Sequence, residues 1–173
     1  MEIKVINKST NELPKYAHPA GDSGLDLCAE LSAINEKFLF NTHIISNYST
    51  GVIEQLSIAP GGRALIPTEL YTAIPEGYEI QVRSRSGLAI KSGVFVLNSP
   101  GTIDANYRNG WGVILMNLGN EPFVVRQGDR VAQAVLVKIE QVEWKEVETL
   151  DETERGLGGF GSTNYDKDGN YKQ

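Results

Sequence analysis

Cysteine is nearly missing from this sequence. Cys28 is the single thiol among 173 residues, so no disulfide can form within the chain. With no C-x-x-C pair and only His18 and His43, the ligand set of a zinc site is missing too. No apolar run approaches the roughly 18 residues that a membrane helix needs. The opening MEIKVINKST has no apolar centre of signal-peptide length. A soluble, cytoplasmic protein with no membrane partner is expected. Positive charge is also in short supply: 16 Lys and Arg against 22 Asp and Glu leave a net charge of −6. Non-specific nucleic-acid binding needs a basic surface to neutralise phosphates, so no nucleic-acid partner is expected. A few focused arginines can still hold one small polyanion. Long helical periodicity and internal repeats are absent as well.

What is present is turn chemistry between short β-rich runs. The turns are APGG (59–62), IPEGY (74–78), NSPG (98–101), NLGNEP (117–122) and RQGD (126–129). Between them lie RALIP, YEIQVRS, GVFVLN, GVILMN, PFVV and RVAQAVLVKI. Val, Ile and aromatic runs suit a pleated surface, and Pro and Gly supply the turn dihedrals. Many short strands at close spacing predict an all-β sandwich or barrel over residues 1–150. SGLAIKSG (86–93) has room for one or two helical turns. Residues 35–51, NEKFLFNTHIISNYSTG, are polar and irregular and read as an inserted loop or hairpin. Residues 151–173 form a tail rich in Gly, Ser, Thr, Asp and Lys, which cannot bury enough surface to order itself.

Four clusters carry chemistry. GDSGLDLCA (21–29) holds Asp22 and Asp26; if LDLCA is a strand, Asp26 and Cys28 share one face and Leu25 and Leu27 the other. A carboxylate there suits the outer shell of a metal, or simply a turn before a strand. RSRSGLA (83–89) combines Arg83, Arg85, Ser86 and Gly87, suited to a phosphate nest or to a solvated surface turn. It lacks the glycine before Lys91 that a P-loop requires. NSPGTIDANYRNG (98–110) sets Asp104 three residues before Tyr107: a general base beside a stacking ring, or an ordinary hairpin tip. RGLGGFGSTN (155–164) contains the G-x-G-x-x-G spacing of Gly156, Gly158 and Gly161, yet no helix can follow in the nine residues that remain. Arg155, Phe160, Ser162 and Thr163 at set offsets are more than a flexible linker needs.

With GDRVAQ (128–133), these clusters resemble, in order, the five motifs of the homotrimeric deoxyuridine triphosphate nucleotidohydrolases, the dUTPases. The resemblance covers nearly the whole chain apart from 35–51 and the last nine residues. It implies a jelly-roll-like β-barrel of the β-clip kind with a mobile C-terminal arm. It implies Mg2+-assisted hydrolysis of dUTP to dUMP and pyrophosphate. Asp104 would activate the water that attacks the α-phosphorus, and Asp26 would contact the water ligands of Mg2+. Arg85, Ser86, Gly87 and Gln133 would hold phosphates. Asn98, Gly101, Ile103 and the hairpin backbone would read the uracil edge, with Tyr107 under the deoxyribose. The fifth motif would close as an arm exchanged between subunits of the trimer, with Phe160 and Gly161 at the uracil and Arg155, Ser162 and Thr163 at the outer phosphates. A glycine-rich segment suits such a lid. Ordering it costs about 1–2 kcal/mol per residue, which only a highly charged ligand offsets.

Departures from the family pattern are Ser84 for a proline, implying a looser turn, Asn106 for an acid, NGW (109–111) for a Gly-acid pair, and Asn164 for a glycine. The rival within this fold is a dCTP deaminase, which needs a glutamate near the hairpin; no Asp or Glu lies between Tyr107 and Glu121. A rival of another class is a dUTPase-like trimer whose insertion or tail contacts a second macromolecule.

Overall fold

The computed structural model describes residues 1–157 and 159. The chain divides into two units, Met1–Gln141 and Val142–Gln173. Among the described residues the first holds all the strands: β1 (Lys4–Asn7), β2 (Leu25–Cys28), β3 (Leu39–Ser46), β4 (Ile53–Pro67), β5 (Leu70–Ala73), β6 (Tyr78–Arg83), β7 (Val94–Val96), β8 (Gly101–Ile103), β9 (Gly112–Asn117), β10 (Phe123–Arg126) and β11 (Arg130–Lys138). The single α-helix among them, α1 (Ser86–Ser92), ends at Gly93, whose left-handed φ of 66° closes it. From Val142 to Leu157 there is no strand or helix, and Val142, Trp144, Val147 and Leu150 are exposed.

Among the described residues three sheets form, with orders β1-β5, β10-β4-β9-β7 with β3 also on β4, and β2-β11-β6-β8. Every pairing is antiparallel. The period-2 pattern explains the core. In β9, Val113, Leu115 and Asn117 point inward, and in β6 Ile80 and Val82 do. They meet Leu27, Leu56, Ile58 and Ile66, all fully buried. Each such side chain contributes about 1.5–3 kcal/mol, and truncating Leu115 to Ala would cost about 2–5 kcal/mol. Asn117 is the buried amide among them. It donates to the carbonyls of Ile58 and Glu121, each at 2.9 Å, and accepts from Gly119 N–H at 2.8 Å, which pins the turn after β9.

One expectation changes and another narrows. APGG is not a turn between strands but a corner inside β4. The β3 partners jump from Phe40↔Arg63 to Thr42↔Ile58, leaving residues 59–62 bulged. Only glycine fits at Gly62, since a Cβ there would lie 2.5 Å from the Asn41 carbonyl. Residues 35–51 take the hairpin form: β3 pairs along β4, and Leu39 and Ile44 pack against the core.

Candidate functional site

The first motif gives its two aspartates different roles. Asp22 is used locally: its Oδ2 accepts from the His18 backbone N–H at 2.7 Å, and the Gly21 and Asp22 N–H groups donate to the His18 carbonyl. Asp26 lies on β2, with Leu27 turned into the core and Asp26 and Cys28 on the other face. Cross-strand register then assembles the site. Gln133 on β11 faces Asp26 on one side and Arg83 on β6 on the other. Gly24 lies against the Gln133 side chain, where a Cβ would come within 3.3 Å. Lys15, Asp22, Asp26, Arg83 and Gln133 line a groove of about 340 Å3.

Arg85 follows β6 and caps α1. Its Nε lies 3.0 Å from Asp26 Oδ1, and its Nη1 donates to the Arg130 carbonyl at 2.8 Å. Arg130 Nη1 reaches Asp26 Oδ2 at 3.2 Å. One carboxylate therefore sits between two guanidiniums drawn from the second and fourth motifs. The Arg85 contact is one of charge without hydrogen-bond alignment, so the buried Oδ1 accepts no hydrogen bond among the described residues. Ser86 and Gly87 open α1 and are exposed. The Cys28 thiol is pushed up in pKa, first by burial and then by the Asp26 charge, against a weaker pull from Arg130 and Arg85. It stays protonated and is a poor nucleophile.

Asn98, Gly101 and Ile103 stand at the third motif. Gly101 is packed under the Asn98 amide, where a Cβ would lie 2.9 Å from Nδ2, and Ile103 is buried. The chain then folds on itself. Tyr107 N–H donates to the Asp104 carbonyl and Tyr107 O–H to the Gly110 carbonyl, both at 3.1 Å. Arg108 Nη1 donates to the carbonyls of Ala105 and Tyr107. Asp104 is exposed and opens on a groove of about 830 Å3 walled by Glu76, Gly77, Asn106, Ile139 and Glu140.

These two places lie at opposite ends of β6. Ile103 faces Ile80, so Asp104 comes level with Glu79, whereas Gln133 and Asp26 stand beside Arg83. Four strand steps separate them, roughly 13 Å, and Arg85 lies beyond. One chain thus brings together Asp26, Arg85 and Gln133 but leaves Asp104 and Tyr107 apart from them; Asn98 lies toward the Arg83 end, against Gly101, which faces Val82.

A family model described as dUTPase matches residues 43–164, which includes both ends of β6. The chain belongs to the dUTPase family. A deoxyuridine 5'-triphosphate nucleotidohydrolase of Finegoldia magna is 44% identical over 165 residues, 95% of this chain and 100% of that protein. One from Fusobacterium nucleatum subsp. nucleatum is 45% identical, over 94% of this chain and 97% of its own length. Among solved structures, a dUTPase of Staphylococcus bacteriophage 80alpha with dUPNHPP has a TM-score of 0.69 at 25% identity, covering 94% of this chain and 98% of that one. A mutant of the 80alpha phage dUTPase reaches 0.72 at 25% identity. The β-clip, jelly-roll-like architecture expected from the motifs is the one this dUTPase-family chain has.

Within the fifth motif Arg155 is exposed in a turn at residues 154–157. Phe160, Gly161, Ser162 and Thr163, with Asn164, lie outside the described residues. Ser84 does not loosen its turn: its Oγ accepts from Val96 N–H at 2.9 Å and its N–H donates to Ser99 Oγ. Sequence reasoning missed Arg130 and Glu30. Arg130 was within reach, being the one cation of GDRVAQ. Glu30 is 1% exposed, and its oxygens accept from Thr10 N–H, Thr10 O–H, Ser32 O–H and Gln127. Burial raises its pKa, but these hydrogen bonds outweigh burial and hold the carboxyl below its ordinary range. Nothing in the string LCAELSA announces a buried carboxylate.

Proposed function

We propose that this dUTPase-family chain hydrolyses dUTP to dUMP and pyrophosphate, by attack of water on the α-phosphorus, at sites shared between the copies of a homotrimer. The separation along β6 is the observation that carries the sharing. A carboxylate that aims water and groups that hold the same polyphosphate must all come within hydrogen-bond reach of it. Asp104 and the Asp26–Arg85–Gln133 cluster do not meet in one chain. A second copy, offering its Asp104 end to this chain's Arg85 end, completes the site.

In that assembly Asp104 accepts the proton of the attacking water. A positioned general base supplies about 10²–10⁴ in rate. Arg85, the Ser86 hydroxyl, the Gly87 backbone and Gln133 hold the phosphates; phosphoryl chemistry asks the protein mainly for position and charge neutralisation. The hairpin from Asn98 through Gly101 and Ile103 reads the uracil edge with backbone groups, and Tyr107 packs under the sugar where a 2′-hydroxyl would clash. The arm from residue 151 onward, with Arg155, Phe160, Gly161, Ser162 and Thr163, closes over the nucleotide from another subunit and expels water.

The residues fit Mg2+ carried in by the triphosphate. No group of three or more His, Cys, Asp or Glu suited to a metal occurs among the described residues, and Mg2+ is commonly held by substrate phosphates, waters and one or two carboxylates. Asp26 Oδ1, which accepts no hydrogen bond among the described residues, is the acceptor available to a metal-bound water. When bound, the ion would supply neutralisation of phosphate charge, with Asp26 contacting it through water. The activity limits uracil incorporation into DNA and supplies dUMP for dTMP synthesis.

The test is pyrophosphate release from dUTP, dTTP, dCTP and UTP with Mg2+. Strong preference for dUTP is expected. Release of ammonia from dCTP would instead place the chain with the deaminases.

A further inference from the structure

Resting on the dUTP-binding reading above, we propose that Arg130 is a positioning residue: by sharing Asp26, it sets how much of the Arg85 guanidinium is available to phosphate. Asp26 meets Arg85 through Oδ1 at 3.0 Å and Arg130 through Oδ2 at 3.2 Å. The two cations are not equivalent. The Arg85 side chain is 25% exposed and also donates to the Arg130 carbonyl, whereas the Arg130 side chain is 59% exposed. Arg85 is therefore held inside the cluster, and Arg130 reaches in from the rim.

A guanidinium that receives phosphate must give up part of its attraction to any carboxylate beside it. Asp26 is such a competitor, and its single negative charge is divided between two cations. Removing Arg130 leaves the whole charge on Arg85, and the incoming phosphate then competes with an undivided ion pair. The backbone carbonyl of Arg130 survives any side-chain change, so the anchor on Arg85 Nη1 remains. The effect runs through Asp26, which makes it testable by a double-mutant cycle.

The measurement is the Kd of dUPNHPP by titration calorimetry, with and without Mg2+, for the full-length protein and for Arg130→Ala, Arg130→Lys, Asp26→Asn and the Asp26→Asn/Arg130→Ala double variant. Arg130→Ala should weaken binding roughly three- to tenfold, the scale of coupling within one charged network, with KM raised by the same factor and kcat nearly unchanged. Arg130→Lys should recover most of the loss, since it restores the charge on Asp26 Oδ2. In the Asp26→Asn background, Arg130→Ala should have no further effect. Unchanged affinity in Arg130→Ala overturns the proposal. So does an equal loss in the Asp26→Asn background, because that would make Arg130 a direct phosphate contact. If Arg130→Ala does not fold, Arg130→Gln, which keeps the apolar stem and loses the charge, takes its place in the cycle with the same expected loss. A wild-type protein that neither binds dUPNHPP nor releases pyrophosphate overturns the dUTP reading itself, an outcome distinct from any within the cycle.

Discussion

At one end of β6 the charges are already partnered, and at the other they stand open. Asp26 lies between Arg85 and Arg130, Arg85 is tied to a backbone carbonyl, and Gln133 is flanked by two strands. Asp104 sits on an exposed turn, and among the described residues no hydrogen bond or ion pair engages its carboxylate. Both ends belong to the same sheet, so rigidity is not the difference. On the proposed reading the first end receives a polyanion, and a counter-carboxylate keeps its arginines apart and oriented before one arrives. A carboxylate that takes a proton needs no partner until water and substrate arrive.

Asp104→Asn carries the largest expected effect. It should leave the fold and dUPNHPP binding intact and slow turnover at least about a hundredfold, the scale of general-base loss. Single-turnover kinetics and calorimetry separate the two; near-normal turnover removes Asp104 from the chemistry. Next, Asp104→Asn and Arg85→Ala chains, each inactive alone, can be refolded together. If sites are built from Asp104 of one copy and Arg85 of another, random mixing in a cyclic trimer restores roughly a quarter of the sites. Mixed trimers confirmed by mass spectrometry that stay inactive would show that each chain serves its own site.

Tyr107→Ala acts on the open end only. It should narrow the ratio of kcat/KM for dUTP over UTP by roughly tenfold, the lower range for a steric pocket. An unchanged ratio places sugar selection elsewhere. The smallest effect concerns neither end. Glu30→Gln turns an acceptor-only carboxylate into an amide facing donors from Thr10, Ser32 and Gln127, at a cost of about 1–3 kcal/mol in stability. The Glu30 pKa is lowered on folding. Its contribution is therefore present above the unfolded carboxyl pKa and lost as pH falls through the folded one. Thermal melts from neutral pH into the acid range should show the wild type losing stability faster than Glu30→Gln. Parallel curves would mean that Glu30 is not the group responsible.

Much of this site was legible because its residues sit in contiguous strings. Asp26 beside Leu27, Arg85 before Ser86 and Gly87, and Asp104 three before Tyr107 are local patterns, and local patterns survive without coordinates. The strands YEIQVRS and RVAQAVLVKI were legible for the same reason, through alternation that a half-buried sheet imposes. Short strands without strong alternation, such as β1 and β5, were not. The corner in β4 was hidden because Pro-Gly-Gly signals a turn equally well whether the chain reverses or only bends.

Local pattern alone carried the β class, the short helix after Arg85, the polar and charged side chains of the candidate site, and the family they mark. Those follow from period-2 patterning and from residue chemistry at short spacing. Packing across the sheets was needed to show that Asp22 serves its own loop while Asp26 serves two arginines, that Ser84 tightens its turn, that Glu30 is a buried and hydrogen-bonded charge, and that Asp104 stands a strand-length from Arg85. The physical reason is register. Which residues face each other across β2, β11, β6 and β8 depends on pairings between segments up to about a hundred positions apart in the chain. A one-residue slip would turn every one of those side chains to the other face.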